Sequence, residues 1–170
     1  MSRAFIKNDT SDDQIVIPPR APLPPGVSNY ETPRGMALVT SELAELEIER
    51  LRVQCDGNDG TERSRQLAVL AQRIAEVCKR IASAIVVHPP DQPRGEVRFG
   101  ATVTLLRLKG TTPGVERRFS IVGVDEANPA TGHISFTSPI ARAITGHQVG
   151  ETISLRTAQG DESFEIVKIE

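Results

Sequence analysis

The sequence predicts an α+β protein, an N-terminal antiparallel coiled-coil hairpin followed by an antiparallel β-sheet domain with one short helix. Three observations predict it. Two apolar stripes with coiled-coil spacing share one centre of symmetry, a proline cluster stops the second stripe, and beyond the prolines apolar and polar residues alternate with a period of two.

The first stripe is Met36, Val39, Leu43, Leu46, Arg50 and Val53, and the second is Leu67, Leu70, Ile74, Val77, Ile81 and Ala84. Steps of three and four place each set along one seam of a helix, with Arg50 as the polar exception. Folded antiparallel, Met36 faces Ala84, Val39 faces Ile81, Leu43 faces Val77, Leu46 faces Ile74, Arg50 faces Leu70 and Val53 faces Leu67. Every pair of numbers sums to 120, so the centre is Gly60, inside a stretch with two Asp-Gly turn signals, Asp56-Gly57 and Asp59-Gly60. The arm from Met36 to Val53 spans roughly 25 Å at the helical rise. Glu42, Glu45, Glu47, Glu49, Arg52, Arg73, Glu76, Lys79 and Arg80 are expected on its solvated faces.

Residues 1–31 read as a flexible Pro-rich tail, because Asp9, Asp12, Asp13 and five prolines between Pro18 and Pro25 leave little apolar surface to bury. Thr32 and Pro33 open the hairpin, 32–87, as N-cap and first helical residue. Residues 88–95 form a linker, since Pro89, Pro90 and Pro93 end the helix. In the second domain, 96–170, alternation predicts strands around 97–105, 119–121, 134–136 and 153–155. A last strand at 164–169 changes phase midway, which predicts a bulge or burial on both sides. Ser138 and Pro139 read as N-cap and first residue of a short helix to Ile144.

Composition narrows the function. Twenty basic and 22 acidic residues give a net charge of −2, and aromatics make up 4% with no Trp. Neither electrostatic capture of free nucleic acid nor a base-stacking platform fits that balance. The absence of a long apolar run or a signal pattern predicts a cytoplasmic protein with no membrane partner. Cys55 and Cys78 fall far apart in the hairpin register and read as free thiols. His88, His133 and His147 lack partners at zinc-ligand spacing. Both stripes are used within the hairpin, so a monomer is expected.

The runs Phe99-Gly100-Ala101-Thr102-Val103-Thr104-Leu105, Ile121-Val122-Gly123-Val124-Asp125-Glu126-Ala127, Gly132-His133-Ile134-Ser135, Ser138-Pro139-Ile140-Ala141-Arg142-Ala143 and Val149-Gly150-Glu151 follow one another in order. Together they closely resemble the C-terminal domain of the bacterial Gre transcript cleavage factors, over most of residues 95–170. The hairpin entered through Thr32-Pro33-Arg34-Gly35 resembles that family's N-terminal half, and Met1-Ser2-Arg3-Ala4-Phe5 is similar to its GreB-like branch. The resemblance implies an FKBP-like C-terminal domain that docks on RNA polymerase, with Ser138, Pro139 and Ile140 in the docking segment. It also implies a coiled coil inserted in the secondary channel, touching nascent RNA only indirectly. Two tip acids, here Asp59 and Glu62, would assist Mg²⁺ supplied by the polymerase active centre, where backtracked RNA is cut. The factor then needs no cofactor or stably bound metal of its own and is not an independent catalyst. Hard carboxylate oxygens suit that ion, and a second metal stabilises charge on the attacking and leaving oxygens.

At the tip the sequence departs from the family. Asn58-Asp59-Gly60-Thr61-Glu62-Arg63-Ser64 keeps the acidic spacing, but Gly60 replaces an apolar residue and Arg63 an Asn, and each arm is about two turns shorter. As plain structure, Asp59 is a turn residue and Glu62 is a favourable charge at a helix N-terminus. Arg63 and Arg65 are either RNA or channel contacts or ordinary solvated cations. Three functions therefore follow: a cleavage-stimulating factor, a channel-occupying regulator that does not support cleavage, or a general interaction or prolyl-isomerase module. The last rests on fold alone, and few aromatics are present to line such a pocket.

Overall fold

The structure is a computed structural model that describes residues 22–55, 60–89, 95–110, 112–157 and 160–170. Most of the tail, Asp59 and most of the linker lie outside the described residues.

Two 23-residue helices, α1 (Pro33–Cys55) and α2 (Gly60–Ala82), form the hairpin. The α1 start is built as its sequence dictates. The amide of Gly35 donates to Thr32 Oγ1 at 2.9 Å, the amide of Met36 donates to the Thr32 carbonyl at 2.9 Å, and Pro33 occupies a position that needs no donor. Val39, Leu46, Leu70 and Val77 are buried between the helices, with Leu43, Val53, Ile74 and Ile81 packed around them. Both seams thus face inward, and each helix is about 35 Å long. Ile48 and Leu51 lie on the exposed side of α1.

The base of the hairpin differs from the sequence reading. Helix α2 stops at Ala82, and Ala84, expected as its last seam residue, begins a strand, β2 (Ala84–Val86). It pairs in parallel with β1 (Asn29–Glu31), a strand formed by residues assigned from the sequence to the tail, with Tyr30 opposite Ile85. Asn29 ties β1 to the helix end, donating through Nδ2 to the Arg80 carbonyl at 2.9 Å.

The second domain is a five-stranded sheet in the order β5-β4-β3-β7-β6, built from β3 (Thr102–Lys109), β4 (Glu116–Val122), β5 (His133–Ser135), β6 (Thr152–Thr157) and β7 (Gly160–Ile169). Strand β3 is central and alternates as expected. Val103 and Leu105 point into a core shared with Val97, Ile121, Ile134, Ile153, Phe164 and Ile166. The alternation that begins at Val97 becomes a strand only at Thr102, because Gly100 turns the chain at φ +82° and Pro89 packs where its side chain would lie. The phase change in the last strand appears as a register shift at Val167, between the pairs Thr104–Lys168 and Leu105–Ile166, and a second shift falls on β3 between Arg107 and Lys109. Helix α3 (Pro139–Ile144) covers the core with Ala141 and Ile144, capped by Ser138 Oγ, which accepts from the Ala141 amide at 3.3 Å.

The sheet is antiparallel except between β4 and β5, which run parallel. A parallel partner requires the chain to return to its starting end. The segment that does so, 123–132, carries Asp125 and Glu126 to the foot of the hairpin.

Candidate functional site: a finger tip and the junction at its base

Of the two tip acids, Asp59 lies outside the described residues, and Glu62 sits in the first turn of α2. Its half-exposed carboxylate lies 3.8 Å from Arg65 Nη1 and accepts from Gln66 Nε2 at 3.1 Å. These partners lie three and four residues on, as helical geometry requires. Ser64 Oγ donates to the Gly60 carbonyl at 2.7 Å and steadies that turn. Arg63 is half-buried on the same turn, and Arg65 faces solvent beside Glu62.

As a metal ligand, Glu62 offers hard oxygens on an accessible side chain next to a helix N-terminus, with one cation beside it. No group of three His, Cys, Asp or Glu capable of holding a metal occurs among the described residues.

The proposed docking residues are split by the structure into exposed and packed members. Pro139 is exposed, Ser138 is half-buried by its capping role, and Ile140 packs partly against the sheet core. Beside them Phe136 meets Phe99 and Tyr30 in a three-ring cluster with centroids 5.6 to 5.8 Å apart, which joins β1 to the second domain.

A buried polar cluster at the foot of the hairpin was not foreseen. Arg80, placed on a solvated face by its spacing, is 8% exposed, and its Nε lies 3.0 Å from Asp125 Oδ2, itself 6% exposed. Glu126 is engaged on both oxygens: the Thr32 hydroxyl donates to Oε2, and Arg34 Nε lies 3.7 Å from Oε1. Arg34 Nη1 is also 3.2 Å from His133 Nε2, whose other ring nitrogen meets Thr131 Oγ1 at 2.8 Å. Glu31, 1% exposed, sits in a niche floored by Gly35 and Gly123, where a Cβ on either glycine would overlap its carboxyl. Burial first, then the charge of Asp125, raise its pKa from 4.5 to about 7; Arg80 opposes and Glu126 adds to the rise. The sequence signals for this cluster were Thr32-Pro33-Arg34-Gly35, where Thr32 already had a local role as N-cap, and Asp125-Glu126, which nothing local placed beside it. Chemically the cluster is a joint. It links the foot of the finger to the segment after β4.

Residues 92–170 match the family model described as transcription elongation factor GreA/GreB, C-terminal domain. Over 148 residues the chain is 33% identical to transcription elongation factor GreA of Listeria monocytogenes, covering 79% of this chain and 91% of that protein. Over 156 residues it is 35% identical to transcription elongation factor GreB of Neisseria meningitidis, covering 84% and 93%. Among solved structures, GreA factor homolog 1 (Gfh1) of Thermus thermophilus aligns at 23% identity over 85% of this chain and 99% of that one, with a TM-score of 0.38.

Proposed function

We propose, since this chain belongs to the GreA/GreB family of transcription elongation factors, that it docks on RNA polymerase through the α3 segment Ser138–Ile140 and extends the α1–α2 hairpin into the secondary channel. There it stimulates cleavage of backtracked RNA. The observation that carries this reading is the accessible Glu62 carboxylate in the first turn of α2, at the end of a helix about 35 Å long. The polymerase's Mg²⁺ supplies the charge stabilisation for phosphodiester cleavage. This chain's share is to place the carboxylates of Asp59 and Glu62, with Arg63 and Arg65 as the RNA or channel contacts. Activity then resides in the polymerase, and the factor acts as its accessory.

A second reading, occupation of the channel without cleavage, is favoured by one observation. Glu62 is already held by Arg65 and Gln66 of its own helix, so lending it to a metal means giving up those contacts. Transcript cleavage on backtracked complexes of the host polymerase separates the two, using wild type, Asp59→Ala/Glu62→Ala, and competition with an established Gre factor. Under the first reading wild type accelerates cleavage and the double variant loses that acceleration while still competing. If neither cleaves and both compete, the second reading stands. If neither competes, both fail.

A further inference from the structure

The joint at the base of the finger contains more negative charge than it can hold. Three carboxyls from two parts of the chain converge there: Glu31 from β1, and Asp125 and Glu126 from the segment after β4. Facing them are the buried guanidinium of Arg80 on α2 and that of Arg34 on α1, which is 66% exposed and thus largely screened by water. Arg80 is committed to Asp125, while Thr32 and Arg34 serve Glu126. Neither carboxyl oxygen of Glu31 has a hydrogen-bond partner among the described residues, and the glycine-lined niche excludes any larger neighbour. A buried carboxylate without a donor is costly, whereas a carboxylic acid brings its own donor.

We propose that Glu31 is a proton-dependent positioning residue for the finger: protonated, it seats the hairpin base on the sheet domain by donating toward Asp125, and ionised, it loosens that joint. The proton comes from solvent and returns there. Asp125 and Glu126 repel the ionised form, Arg80 attracts it, and Arg34 lies at the rim. Beyond Arg34, His133 Nε2 lies 3.2 Å from its Nη1. Substitution of Glu31 separates these effects.

The sign of the pH dependence follows from linkage. Glu31 holds its proton to about pH 7 in the closed joint and to about 4.5 once exposed, so closure is favoured in acid. It weakens about tenfold per pH unit between roughly pH 5 and 7 and levels off above pH 8. The inference concerns the chain by itself and needs no polymerase, so its failure leaves the proposed function untouched.

The test is amide hydrogen exchange on the full chain from pH 5 to 8, corrected for intrinsic rates. The amides of Val87, which donates to the Glu31 carbonyl, and Gly35, which donates to Thr32, report the joint, and Leu105 in the sheet core is the reference. Wild type is expected to lose protection at Val87 and Gly35 by tens of fold while Leu105 holds. Glu31→Gln, which carries a permanent donor, is expected to stay flat at the acidic wild-type level. Glu126→Gln, which removes one repelling charge and keeps an acceptor for Thr32, should shrink the fall and covers the case in which Glu31→Gln does not fold. Flat protection in wild type, or an unchanged fall in either variant, overturns the proposal.

Discussion

Replacing Arg80 by Met tests how the hairpin is fastened. Met keeps most of the stem that packs at the end of α2 but removes the cation 3.0 Å from Asp125. With Asp125 6% exposed and Glu31 and Glu126 beside it, the abandoned anion has no route to bulk water. Breaking one side of such a buried pair costs about 3–5 kcal/mol, a large part of the ~5–15 kcal/mol that holds a typical domain together. The assay is urea denaturation followed by far-UV circular dichroism at pH 7.5, which weights the two helices. Asp125→Asn is then made in the Arg80→Met background. Because the neutral amide removes the stranded charge, the double variant should recover at least half of the loss, giving a clear coupling in the double-mutant cycle. The single-variant deficit should also shrink in acid as the carboxyls take up protons. A loss below about 1 kcal/mol, or a deficit unchanged by Asp125→Asn, would refute the claim that this ion pair fastens the hairpin to the sheet domain.

Two further outcomes concern packing. Leu105→Ala, at a fully buried position on the central strand, should cost about 2–5 kcal/mol of unfolding free energy, read as a lower denaturant midpoint, and leave far-UV helicity at low denaturant intact. Ser138→Ala removes the acceptor for the Ala141 amide and should destabilise by about 1 kcal/mol, read in thermal melts. Affinity for polymerase should fall in the same variant if α3 is the docking segment.

The sequence reading succeeded wherever local chemistry and tertiary outcome coincide. The two helical seams were legible because each carries its own apolar residues, and Val39, Leu46, Leu70 and Val77 are buried in the hairpin. Ser138-Pro139 was legible because a cap is a contact across three residues. The end of α2 was misread. Ala84 kept the helical spacing, but three consecutive β-branched residues, Ile85, Val86 and Val87, favour the strand that pairs with β1. Strand β1 itself inverts the usual pattern, with Asn29 and Glu31 buried and Tyr30 more exposed, so no alternation could reveal it. Arg80 was misplaced for the same reason, since its partner lies 45 residues away in the segment that turns β4 and β5 parallel. At the tip, the sequence singled out Glu62 and the structure supplies its neighbours, whereas Asp59 lies outside the described residues.

The parallel pairing of β1 with β2 also bears on how such a finger can change over generations. Main-chain bonds tie the two feet of the hairpin at a fixed offset, Tyr30 opposite Ile85, and the apolar seams carry that offset upward. A residue added to one helix alone would throw every layer above it out of phase. Matched additions of seven to both helices, inserted above the joint, would preserve each layer and lengthen the finger by roughly 10 Å. Reach is therefore a quantity that could change in steps of one heptad without disturbing the joint below it.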